Sequence, residues 1–135
     1  MKDVKTPLQM AFFQLLDVDL YDVAPIDAEY PFTEIGESFQ VEDMDKSTFG
    51  QETIFTFHIR DRFQGSVGSR AQINSIRSEI LETLRALPKN GFLEFEGFKV
   101  TAVQMESSDF NKVQDDTYLY FTESLRVLFR TYELV

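Results

Sequence analysis

The chain holds a single histidine, His58, the first residue to test for chemistry. An imidazole serves as a general base or a metal ligand near neutral pH, and either role needs partners. No second histidine and no cysteine exist to share a metal ion with it. The usual nitrogen–sulfur cages are therefore excluded. His58 falls in an alternating segment with Thr56 and Arg60 on its more polar side. That placement reads as a hydrogen-bonded strand residue, with a general base as the alternative.

Three other constellations imitate functional motifs. Asp43-Met44-Asp45-Lys46-Ser47 begins like a calcium loop. Thr48 then stands where the tight-turn glycine belongs, and Ile54 where the bidentate glutamate belongs, so the motif fails. Gly65-Ser66-Val67-Gly68 precedes a helical stretch as a phosphate-binding turn does, but lacks the Lys-Ser/Thr ending. Arg60, Arg62 and Arg70 lie close in sequence, which leaves a local anion site as the alternative to a plain turn. Asp115-Asp116 and Glu106 with Asp109 offer paired carboxylates. Among 23 acidic residues such pairs arise by chance. No catalytic, cofactor or metal site is expected, and the chain reads as a non-enzyme.

Composition narrows the partners. Lys and Arg number 13 against 23 Asp and Glu, for a formal net charge of −10. Binding to nucleic acid or anionic lipid requires clustered cations, and no window is strongly basic. Neither partner is expected. The 135 residues suit one domain, and 14 Phe with 5 Tyr supply an aromatic core. No apolar run approaches a membrane span, and the start of the chain lacks a signal-peptide pattern. A soluble, cytoplasmic product is the expectation.

Periodicity supplies the elements. Thr6 is placed to cap a short helix from Pro7 to about Asp17, with Leu8, Ala11, Phe12, Leu15 and Leu16 on one side. Leu20 to Val23 reads as a short extended piece, and Ala24 to Pro31 as a connector. Phe32 to Val41 predicts a strand with Ile35, Phe39 and Val41 facing one way. A polar connection through Gly50 leads to a second strand, Thr53 to Arg60, with Phe55, Phe57 and Ile59 on one face. Ser69, with Gln72 three positions on, marks a helix to about Leu87. Ile73, Ile76, Ile80, Leu81, Leu84 and Leu87 form its stripe, while Arg70, Arg77, Glu82 and Arg85 face water. Phe92 to Met105 reads as strand-like runs interrupted at Glu96-Gly97 by a tight turn or a bulge, Glu106 to Asp116 as a polar loop, and Leu119 to Arg130 as the longest strand. The predicted class is α+β: a mainly antiparallel β-sheet packed against two helices, in the order α-β-β-α-β-β.

This order of segments resembles the tail-completion, or tail-to-head joining, family of long-tailed bacteriophages and prophages. The resemblance is carried by the Pro7–Asp17 helix, the Leu20-Tyr21-Asp22 step, and Tyr30-Pro31-Phe32-Thr33-Glu34-Ile35-Gly36-Glu37. The alternating strand ending near Arg60, the Gly65–Gly68 turn and the long helix after it also fit. One departure is Ile59-Arg60-Asp61-Arg62-Phe63, where the family often has Trp or a similar aromatic followed by Ser. The resemblance implies a structural virion protein, similar to tail terminators, that caps the finished tail tube and joins the tail to the head connector. It implies action as a hexameric ring, in some members monomeric before assembly, with a tube protein and a head-side stopper protein as partners. DNA would pass through the ring without specific binding. Six copies at −10 total about −60 charges, which repel a passing duplex.

The expected docking or inter-subunit loop runs from Gln40 to Gln51, with Glu42, Asp43 and Asp45 as charge partners and Lys46 and Phe49 beside them. A free solvated tip is its plain alternative. Glu106 to Thr117 is a second polar tip suited to ordering on contact. Two rival functions are another head–tail connector or tube component, and an acidic inhibitor that mimics DNA. The second predicts carboxylates spaced regularly along one face, whereas here they are scattered.

Overall fold

The computed structural model describes residues 3–43 and 50–134, and the side chains of residues 41–43 lie outside that description. Helix α1 (Lys5–Leu15) opens the chain and is followed by β1 (Leu20–Tyr21), β2 (Phe32–Asp43) and β3 (Gly50–Gln64). Next come α2 (Ala71–Arg85), a single turn α3 (Leu87–Asn90) and a 3-10 helix (Phe92–Glu96). The chain closes with β4 (Phe98–Gln114) and β5 (Tyr118–Glu133). The fold is α+β, with a five-stranded sheet in the order β1-β2-β3-β5-β4. β1 runs parallel to β2 while the other pairings are antiparallel, so the sheet is mixed. The predicted element order therefore lacks β1, α3 and the 3-10 turn.

α1 begins earlier than Thr6 predicts. Val4 is fully buried, and the helix starts two residues sooner, at Lys5. The Lys5 N–H donates to Asp3 Oδ1 at 2.9 Å, so Asp3 rather than Thr6 satisfies an end donor. α2 likewise starts at Ala71, whose N–H donates to Ser69 Oγ at 3.1 Å. It stops at Arg85, and Leu87 belongs to α3. Gly91 (φ 64°) ends α3 and Gly97 (φ 86°) ends the 3-10 helix, both in the left-handed region that glycine enters without penalty. The segment from Phe92 to Glu96 is thus a 3-10 helix, closed at its ends by Glu94 N–H to the Gly91 carbonyl and Gly97 N–H to the Glu94 carbonyl at 3.1 Å each.

Both long helices lie on one side of the sheet. Phe12 of α1 sits at the centre, with its ring 4.9 Å from Phe55, 5.1 Å from Phe57 and 5.4 Å from Phe129. Ile73, Ile80, Leu81 and Leu84 of α2 are buried in the same cluster. Alternation in β3 and β5 holds as read, with Phe55, Phe57, Ile59, Leu125, Val127 and Phe129 buried. In β2 it does not. The register slips between Ile35 and Ser38, and a bulge of this kind reverses which side later residues face. Ile35 is buried opposite Phe57, whereas Phe39, opposite Ile54, is 53% exposed on the far side.

The largest correction concerns Glu106 to Asp116. β4 continues as strand through Gln114, pairs with β5 along its length, and is one residue longer than β5. The polar loop is only Asp115 to Thr117, where Asp115 Oδ1 accepts from the Thr117 and Tyr118 N–H groups at 2.8 and 2.6 Å. Arg77, predicted to face water, explains how the polar strand is held. Its Nε donates to Ser108 Oγ at 2.9 Å and a terminal nitrogen lies 3.1 Å from Met105 Sδ. Arg70 adds a cation–π contact at 3.6 Å to Phe110, whose ring meets Phe121 at 5.0 Å. The helix thus straps the outer strand through arginine stems rather than through aliphatic contacts alone.

Candidate functional site

No helix among the described residues covers the face of the sheet opposite α1 and α2; at one end Tyr21 and Tyr30 pack on Phe32 and the Ala24 N–H donates to Glu34 Oε2. Cross-strand register places Glu34, His58, Ser124 and Asp109 in one row across it, and Phe32, Arg60, Thr122 and Asn111 in the next. Arg62, Tyr120 and Val113 form a third row. Towards the other end stand Phe39, Ile54 and Leu128, then Glu52 with Arg130. The two central strands thus bring Arg60, Arg62, Arg126 and Arg130 to this face, and neither strand contains a lysine. Glu34, Glu37, Glu52 and Asp109 face the same way, so the face is close to charge balance. The net −10 of the chain resides elsewhere.

Each arginine is held by a different arrangement. Arg60 contacts Glu34 Oε1 at 3.3 Å and Thr122 Oγ1 at 3.4 Å. Arg130 donates to Glu52 Oε1 at 2.9 Å. Arg126 lies 5.4 Å over the Phe39 ring. Arg62 is stacked between Tyr30 at 4.7 Å and Tyr118 at 4.2 Å. Among the described residues, no carboxylate comes within ion-pair distance of Arg62 or Arg126. Beside Arg62, a groove of ≈ 340 Å³ is bounded by Tyr30, Arg60, Asn111, Val113, Tyr120 and Thr122.

His58 sits at the middle of the face. Its Nδ1 is 2.8 Å from Ser124 Oγ and its Nε2 3.5 Å from Glu37 Oε2. Gly36 makes room for the ring, since a Cβ there would stand 2.4 Å from Nε2. The exposed Glu37 carboxyl is held below the ordinary range, first by its own backbone N–H and then by the imidazole. Asp115 is lowered by the Tyr118 and then the Thr117 N–H groups. Asp61 points to the helix side. It is buried, its Oδ2 lacks a partner, and desolvation raises its pKa against a single bond from the Arg62 N–H. Among the described residues, no group of three His, Asp or Glu side chains is placed to hold a metal ion. No helix among them is long and apolar enough to cross a membrane.

The candidate docking residues separate in the structure. Gln40 and Gln51 are strand residues on the helix side, and the Gln40 amide donates to Gln51 Oε1. Gln51 is buried, which removes it from any loop surface. Glu42 and Asp43 extend β2 by their backbone, and their side chains lie outside the described residues, as do Asp45, Lys46 and Phe49 entirely. The suggested anion cluster also disperses. Arg60 and Arg62 belong to the open face, whereas Arg70 covers Phe110 on the helix side. The arginine–tyrosine set was the overlooked feature. Its trace in the sequence is that the outward positions of β3 and β5 carry four Arg and three Tyr and no lysine.

No protein-family model matches the chain, and no curated protein sequence matches it. The chemistry of the open face is therefore the basis for a functional reading.

Proposed function

We propose that this chain is a phage virion assembly protein of the tail-completion type. In this reading it caps the tail tube, acts as a hexameric ring, and joins the tail to the head-side connector. It works by docking rather than by catalysis, in the host cytoplasm before assembly and at the head–tail interface of the virion afterwards. The observation that supports it best is the sheet face opposite the helices. A five-stranded sheet with one side open to water usually presents Lys, Glu and Thr there. Here the central strands present arginine with Tyr118, Tyr120 and Tyr132, near charge balance, on an otherwise acidic molecule. Enrichment in Arg and Tyr with depletion of Lys is the composition of protein–protein interfaces.

An α+β fold with a five-stranded mixed sheet packed on two long helices is the coarse architecture on which this reading builds. An acidic remainder suits a channel wall that lets DNA pass without gripping it. The test is deletion of the encoding gene in the producing phage. Heads and tails that fail to join, with tails of irregular length or ragged ends, are the expected outcome. Intact infectious particles made without the polypeptide would refute the reading.

A further inference from the structure

The Arg62 side chain makes no hydrogen bond or ion pair with any described residue, although it is held on both sides. The Tyr30 and Tyr118 rings lie at 4.7 and 4.2 Å from its guanidinium carbon. The guanidinium lies over two aromatic rings, and its N–H donors have no acceptor among the described residues. Much of the side-chain entropy normally lost when arginine binds a ligand has already been spent. Tyr30, which carries the Arg62 contact, also lines a groove of ≈ 340 Å³ with apolar walls in Tyr120, Phe121 and Val113 and polar groups in Asn111 and Thr122. Arg60 lines the same groove, and its bonds to Glu34 and Thr122 are long, at 3.3 and 3.4 Å. Charge-assisted bonds ordinarily close to about 2.8 Å, so Arg60 has capacity for a further acceptor.

We propose that the Tyr30–Arg62–Tyr118 stack and its groove bind a carboxylate-bearing peptide segment of a partner protein. The proposal rests on reading the open face as a docking surface. The arginine fork matches the planar, two-oxygen geometry of a Glu or Asp side chain. The tyrosine and valine walls accept an apolar neighbour along the same segment, as alternate residues of an extended peptide lie on one side. Charge separates this ligand from nucleic acid. A polyphosphate chain would carry many negative charges across a molecule of net −10, and each would meet the repulsive field. A peptide brings only a few carboxylates to a place where Arg60 and Arg62 face them. Asp115, lowered chiefly by the Tyr118 and Thr117 N–H groups and least by Arg62, adds a negative charge in the neighbourhood of the site.

The experiment is fluorescence anisotropy on the full chain with a short labelled peptide of alternating glutamate and leucine. Saturable binding is expected, weakening about tenfold in Arg62→Gln, the usual effect of losing a charge-assisted pair. Arg62→Lys should lose nearly as much, because lysine keeps the charge but neither stacks nor forks. Arg85→Gln, on the exposed side of α2, should bind as wild type. Arg62 is exposed, and thermal melts of its variants should superimpose on wild type. Absence of peptide binding overturns the proposal, as does full affinity in Arg62→Gln or Arg62→Lys. So does tighter binding of single-stranded oligothymidylate than of the peptide. Failure here, together with unjoined heads and tails in the gene deletion, would remove this contact and leave the assembly role standing.

Discussion

Replacing Gly36 by alanine tests the bulge that turns Phe39 outward. Gly36 has no positive φ, so alanine suits its backbone and the obstacle is steric alone. The added Cβ would meet His58 Nε2 at 2.4 Å and Cδ2 at 2.6 Å. An ordinary contact needs about 1 Å more. The ring can yield only by lengthening its 2.8 Å bond to Ser124 Oγ and withdrawing from Glu37. Because the His58 ring is only part-buried, overpacking costs about 1–2 kcal/mol, and the lost hydrogen bond about 1 kcal/mol. We expect Gly36→Ala to destabilise by about 2–3 kcal/mol in urea unfolding. With about 2.1 cal/mol/K of unfolding entropy per residue over 135 residues, the melting temperature should fall by about 7–10 °C. In a His58→Ala background the same substitution should become neutral, or stabilising by about 0.5 kcal/mol, because alanine restricts the unfolded chain. An equal penalty in both backgrounds would show that the bulge backbone, and not the imidazole, demands glycine.

Two further outcomes follow from the other side of the sheet. Phe12→Ala removes the ring shared by Phe55, Phe57 and Phe129 and should cost about 3–5 kcal/mol, read as a lower urea midpoint at unchanged slope. Asp61 has a folded-state pKa raised by burial. Its contribution is therefore fully present below the unfolded pKa and is lost as pH rises through the folded value. Asp61→Asn should abolish that loss, so the stability difference between variant and wild type should shift in favour of the variant from about pH 4 to pH 7. A constant difference across that range would place the Asp61 charge outside the stability balance.

Much of the helix layer and the central strands can be read from local periodicity. The α2 stripe from Ile73 to Leu84 and the alternation of β3 and β5 arise from burial on one side, which imprints its period directly on the residues. The distal half of β4 carries no such imprint. It lies at the sheet edge, where Phe110 alone meets the core among mostly exposed polar residues. Only pairing with β5 and the Arg77 strap make that segment a strand. The same holds for Phe39, whose orientation depends on one extra residue at the bulge, and for Gln51, buried where a polar connection was expected.

The sequence by itself determined that the chain would be acidic and aromatic-cored, without cysteine or a second histidine, because those are properties of residue types. It also determined where α2, β3 and β5 run, because each buries one side and repeats accordingly. Tertiary structure alone decided that Arg62, far along the chain from Tyr118 and Tyr30, would lie between their rings. Such a stack depends on strand order and register, β2 beside β3 beside β5. These are set by how the whole sheet packs its far side against Phe12 and α2, and no local spacing records them.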